Sequence, residues 1–235
     1  MVKNELVKRS PLRILEKSIH GEVGRGHIGV IAARKGTGKT ACLVHIATDQ
    51  LLQNKHVIHA SFAERTDHIV SWYEDIFAEI AERRELDNAM EVHDELVKHR
   101  VIMNFVQSEI DVAQFIKSLQ TMMKDGEFAA DLIVVDGYDF EHGTPETLAS
   151  IRSFAEEHGL AFWFSASIHR DDPRTDENGV PVLLSSYIDS ISVLITLHAE
   201  SDCVKLSLCK DHDRYVAEDL HLQLDPRSLL IAQDS

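Results

Sequence analysis

Gly29-Val30-Ile31-Ala32-Ala33-Arg34-Lys35-Gly36-Thr37-Gly38-Lys39-Thr40 is the stretch that decides the fold of this 235-residue chain. An apolar strand runs into a glycine-bearing turn, a Lys-Thr pair follows, and a helix is predicted from Ala41 to Leu52. The phosphate-loop pattern G-x-x-x-x-G-K-[ST] is met at three of its four specified slots, with Ala33 in place of the first glycine. Small residues let backbone N–H groups curl around phosphate oxygens, and the helix that follows points the positive end of its dipole at them. A Cβ at Ala33 disfavours positive φ at that position.

A glycine turn followed by a lysine can arise by chance, so the flanks carry the argument. The strand is apolar on both faces, and Leu43, Ile46, Ala47 and Leu51 lie on one face of the helix at helical spacing. The expected cradle runs from Ala33 through Arg34, Lys35, Gly36, Thr37, Gly38, Lys39 and Thr40 to Ala41. In it Lys39 reaches the β/γ-phosphates of a nucleotide, and the Thr40 hydroxyl holds Mg²⁺.

Composition narrows the partners. Hydrophobic residues make up 44% of the chain, enough for a packed core in one α/β domain over residues 1–235, with a lead-in over 1–26. The formal charge is −15, from 24 basic and 39 acidic side chains. Such a surface repels phosphate backbones at long range, so nucleic acid is a disfavoured partner. No apolar run approaches a membrane span, and the N-terminus lacks a signal-peptide core. Cys42, Cys203 and Cys209 show no metal-type spacing, which predicts a reducing, cytoplasmic setting. The 14 histidines are scattered and read as mostly exposed or half-buried.

Along the chain, strands alternate with helices. Strands are predicted over His27 to Ala33, His56 to Phe62, Arg100 to Phe105, Asp131 to Phe140 and Leu160 to Ser167. Thr66 is placed to cap a helix from Asp67 to Arg83, whose apolar face carries Ile69, Trp72, Tyr73, Ile76 and Phe77. A helical stretch is expected around Met90 to Val97. Asp111 with Gln114 forms a capping-box signal, and Thr144-Pro145-Glu146 starts a further helix. After a polar loop from Asp171 to Val182 come strands over Ile191 to Leu197, Val204 to Cys209 and Leu220 to Leu224. The pattern predicts an α/β fold: a mainly parallel central sheet with helices on both faces, extended by antiparallel C-terminal strands.

Two acids complete the chemistry. Asp136 follows Leu132, Ile133, Val134 and Val135 at the end of a buried strand, the Walker B arrangement that orients Mg²⁺. Glu64, just past the second strand, is the candidate base for an attacking water.

The order of phosphate loop, Glu64, Asp136, a polar strand end and terminal hairpins resembles the RecA-like P-loop ATPases, and within them the KaiC-like branch. Ser10 to Leu15, leading into Ile19-His20-Gly21, resembles the lead-in of those proteins. Phe62-Ala63-Glu64-Arg65 is similar to their F-E-E segment, with Ala63 replacing the first acid. The resemblance therefore implies that Glu64 is the catalytic base, with slow hydrolysis. Phe164 to Arg170 resembles the strand end where DnaB-type helicases and RecA carry a γ-phosphate sensor, a role that falls to Ser167 or Ser165. Leu206 to His212 resembles a K-x-R element reaching a neighbour's nucleotide, with Lys210 kept and His212 in the arginine slot.

The resemblance implies an ATP- and Mg²⁺-dependent ATPase acting as a regulatory switch. It also implies a homo-oligomer, hexameric rings included, and a further protein partner. A nucleic-acid motor is the second reading, weakened because the loop Arg170 to Val182 sets Arg170 and Arg174 against Asp171, Asp172, Asp176 and Glu177. A nucleotide-dependent binding module without turnover is the third. Base contacts are expected from the helix after Glu64, with no residue singled out.

Overall fold

The computed structural model describes residues 2–62, 66–169 and 174–233. Its parallel strands follow the apolar runs of the sequence. They are β1 (Ile28–Arg34), β2 (Val57–Ser61), β3 (Arg100–Asn104), β4 (Leu132–Asp136), β5 (Ala161–Ile168) and β6 (Val193–Ala199). The antiparallel strands are β7 (Val204–Asp211), β8 (Arg214–Leu224) and β9 (Ile231–Gln233). Together they form one sheet in the order β3-β2-β4-β5-β1-β6-β7-β8-β9.

The helices are α1 (Lys3–Lys8), α2 (Leu12–Ser18), α3 (Lys39–Leu52), α4 (Asp67–Arg83), α5 (Ala89–Lys98), α6 (Val112–Lys124) and α7 (Pro145–His158). Crossover handedness distributes them. The steps β1 to β2 and β2 to β3 move one way along the sheet, and the steps β3 to β4, β4 to β5 and β5 to β6 move the other way. Right-handed crossovers therefore put α3, α4 and α5 on one face and α6 and α7 on the opposite face. The core divides accordingly. Leu43, Ile76 and Leu96 belong to one apolar cluster, and Phe115, Leu119 and Ile151 belong to the other.

Local signals explain the boundaries. Asp111 accepts from the Gln114 N–H while the Gln114 side chain accepts from the Asp111 N–H, so the capping box is complete. The Thr144 hydroxyl accepts from the Thr147 N–H, with Pro145 in the first helical position. Thr66 differs from expectation. It begins α4 in the right-handed helical region and makes no side-chain cap bond.

A strand end is also corrected. The strand expected from Asp131 to Phe140 ends at Asp136. Beyond it, the chain turns at Gly137, where φ is 80°. The helix after the glycine turn is not amphipathic: twelve of its residues, Lys39 and Asp49 among them, are buried. The reason is the packing around it. Helix α4 packs along it with α5 and α1, and Ile231 of β9 donates to His45, so little of it faces water. The histidines are mostly exposed or half-buried, as read, with His45 on α3 and His59 on β2 the buried exceptions. Helix α1 and strand β9 were not expected from the sequence.

No helix among the described residues is long and apolar enough to cross a membrane.

Candidate functional site

Parallel strands all point the same way, so their carboxyl ends line one edge of the sheet, where ligands of open α/β sheets bind. Strand β1 delivers the glycine-bearing loop Lys35 to Gly38 to that edge. Ala33 is still in the strand, paired with Ser167, and takes no positive φ, so the missing glycine is not needed there. The turn itself uses Gly36 at φ 82° and Gly38 at φ 104°. Gly38 is the N-cap of α3 and leaves its first turn open. The backbone N–H groups of Gly36, Gly38, Lys39, Thr40 and Ala41 have no protein acceptor among the described residues. Converging orphan donors at a helix start form an anion cradle.

Lys39 is buried, and its ammonium donates to the carbonyls of Ala33 and Arg34, each at 3.1 Å. Burial pushes it below the ordinary lysine range, and the nearby Asp136 opposes that shift. The ammonium is thus folded back on its own loop, next to the open N–H groups.

Asp136 ends β4, two strands from β1, and reaches the same spot. The Thr40 Oγ1 donates to its Oδ2 at 2.8 Å, and the Ser165 Oγ donates to its Oδ1 at 2.6 Å. Ser165 also accepts from the Gly137 N–H at 2.9 Å. The paired oxygens of Thr40 and Asp136 are hard ligands of the type Mg²⁺ takes, so these residues fit that ion. Of the two serines considered, Ser165 holds the acid, and exposed Ser167 lines the cavity beside it.

That cavity holds about 440 Å³. Lys35, Thr37 and the other loop residues form its floor, and an apolar wall rises beside them from Trp72, Val204, Leu224, Pro226 and Leu229. Trp72 comes from the helix after Glu64 and was read only as core. The C-terminal contribution has no signal in the sequence, where Leu224 reads as an ordinary strand end. Leu224 sits so close to the loop that a Cβ on Gly38 would lie 2.3 Å from its Cδ2.

Of the remaining candidates, Lys210 and His212 stand apart. Glu64, with Ala63 and Arg65, lies outside the described residues, as do Arg170, Asp171 and Asp172. Lys210 lies at the opposite edge: it pairs with Leu194, next to the pairing of Gly29 with Val193 at the start of β1. Its side chain is not the outward cation expected. The buried ammonium donates to the carbonyls of Ile188 and Ile191 at 2.6 and 2.7 Å. His212 is likewise held, its Nδ1 2.8 Å from Asp211.

No protein-family model matches this chain, and no curated protein matches it.

Proposed function

We propose that this chain binds ATP with Mg²⁺ at the loop Ala33–Ala41 and hydrolyses it slowly, as a RecA-like ATPase of the KaiC-like kind. One observation carries the reading: the free N–H groups of the loop, Lys39 and the bonded pair Thr40 and Asp136 converge in one cavity. Phosphate oxygens would accept from the loop N–H groups and from Lys39. Thr40 and Asp136 would hold Mg²⁺, which neutralises phosphate charge when bound. Trp72, Leu224 and Pro226 give the cavity an apolar wall that suits a nucleobase. The run of phosphate loop, acid on β4, serine-bearing end of β5 and antiparallel tail in one sheet supports the RecA-like resemblance.

Glu64 is the proposed base that orients the attacking water, and assembly into a homo-oligomer with a regulatory output completes the proposal. Single-turnover release of phosphate from labelled ATP tests it. Release from the unaltered chain, slowed roughly 10²-fold or more in Glu64→Gln, is the expected result. Binding without release would leave a nucleotide-dependent binding module. Tight, salt-sensitive DNA binding would favour the motor instead.

A further inference from the structure

A second cavity, of about 760 Å³, opens at the far end of α3 from the phosphate loop. Its floor is apolar, built from Leu6, Ile14, Leu52, Ile80, Leu230 and Ile231. Its rim is cationic: Lys8, Arg9, Arg13, Arg83 and Arg84 line it, against the single acid Asp49. That bias runs against the whole chain, in which acids outnumber bases 39 to 24.

Two of these cations are occupied. Arg13 bonds Asp49 and Glu16, and Arg83 bonds Glu79 and Asp225. Lys8, Arg9 and Arg84 have no ion-pair partner among the described residues. Basic residues at helix ends complement the helix dipole, which accounts for one cation at the end of α1 or α4. It does not account for five around one apolar hollow.

Most polar groups inside are paired, the buried Arg13 Nε being left without a partner among the described residues. His45 Nδ1 accepts from the Ile231 N–H at 2.9 Å. Asp49 accepts from Arg13 and Gln53, and the Ser10 hydroxyl accepts from the Leu12 N–H. A peptide seated here would find backbone partners only along the outer edge of the three-residue β9 and would leave its other N–H and carbonyl groups unpaired, at a cost of kcal/mol each. An alkyl chain brings no such groups. The volume lies in the range of small-molecule sites.

We propose that this cavity is a ligand site for a small molecule with an apolar body and one anionic head, of the class of a medium-chain carboxylate. The alkyl body lies on the floor, and the head meets Arg9, Arg84 and Lys8 at the rim. The site stands independently of nucleotide binding.

Calorimetric titration of the full chain with dodecanoate, below its micelle concentration, tests the assignment. Dodecanol and dodecyltrimethylammonium serve as the neutral and cationic analogues. Saturable binding of one dodecanoate per chain is expected, roughly tenfold or more tighter than dodecanol, the scale of one strong charge contact. Added salt should weaken the carboxylate and leave the alcohol unchanged. The double variant Arg9→Glu/Arg84→Glu should lose the carboxylate preference, and Ala232→Trp, which fills the cavity, should weaken both ligands. The comparison of analogues on the unaltered chain holds whether or not the variants fold. Equal affinity for the three headgroups, no saturable binding, or tighter binding of an acidic peptide than of dodecanoate would overturn the proposal.

Discussion

Thr40 Oγ1 donates to Asp136 Oδ2 across 2.8 Å, joining the first turn of α3 to the end of β4. With Ser165 on the other carboxylate oxygen, both lone-pair faces of Asp136 are fixed before any ligand arrives. Asp136→Asn keeps the shape and removes the charge a hard cation needs. ATP affinity of that variant should no longer rise when Mg²⁺ is added, whereas the unaltered chain should bind at least tenfold tighter with the ion, a difference of about 1.4 kcal/mol. An unchanged Mg²⁺ response would remove Asp136 from the metal site.

Gly38 is constrained twice. Its φ of 104° disfavours any side chain, and a Cβ would lie 2.3 Å from Leu224 Cδ2. Gly38→Ala should lower unfolding stability by about 1–3 kcal/mol. Adding Leu224→Ala to that variant relieves the clash and leaves the backbone strain. Chemical denaturation of the single and double variants reads both contributions, and a neutral Gly38→Ala would contradict the described turn.

His45 and His59 are fully buried, and burial pushes both imidazoles down to about 4. Their unfolded value is about 6.5. As pH falls through that window the unfolded chain takes up protons that the folded chain does not, so stability falls with acidification. Each histidine should cost about 2 kcal/mol between about pH 7.5 and about pH 5. Glu16, raised to about 7 by burial and opposed by Arg13, acts in the opposite direction, and solvent screening at this half-buried carboxyl leaves it offsetting only part of one histidine. Comparing His59→Phe with the unaltered chain isolates one share. The variant's loss of stability on acidification should be smaller by about 2 kcal/mol, and an equal loss would contradict the buried neutral state.

Lys210 has a structural task in this account. Lys210→Met leaves the carbonyls of Ile188 and Ile191 without their ammonium donor and should cost about 1–3 kcal/mol. Turnover per folded molecule should be unchanged. Full stability combined with lost ATPase would return Lys210 to a role in a neighbour's site.

The parallel half of the sheet was legible because each strand is a short apolar run and each helix announces itself by periodicity or a cap, as Asp111 and Thr144 show. The glycine turn into α3 and the place of Asp136 at the end of β4 were legible because apolar run, glycines and helical pattern follow in a fixed order along the chain. What failed depends on curvature. The sequence of β8 does not say that Leu224 folds back onto Gly38, so the apolar wall was not foreseen. Strand position placed Lys210 at an edge and did not say that its ammonium meets the carbonyls of Ile188 and Ile191. His45 and His59 occupy core positions that composition alone cannot distinguish from surface ones.

Lys39 and its loop are proposed to bind a nucleoside triphosphate. Equilibrium binding of ATP to the unaltered chain and to Lys39→Ala, with Mg²⁺ present, tests it most directly. Saturable binding by the unaltered chain, weakened roughly 10²-fold (about 2.7 kcal/mol) in a variant that still folds, is the predicted result. Equal ATP affinity in the two proteins, or no binding by the unaltered chain, would contradict it.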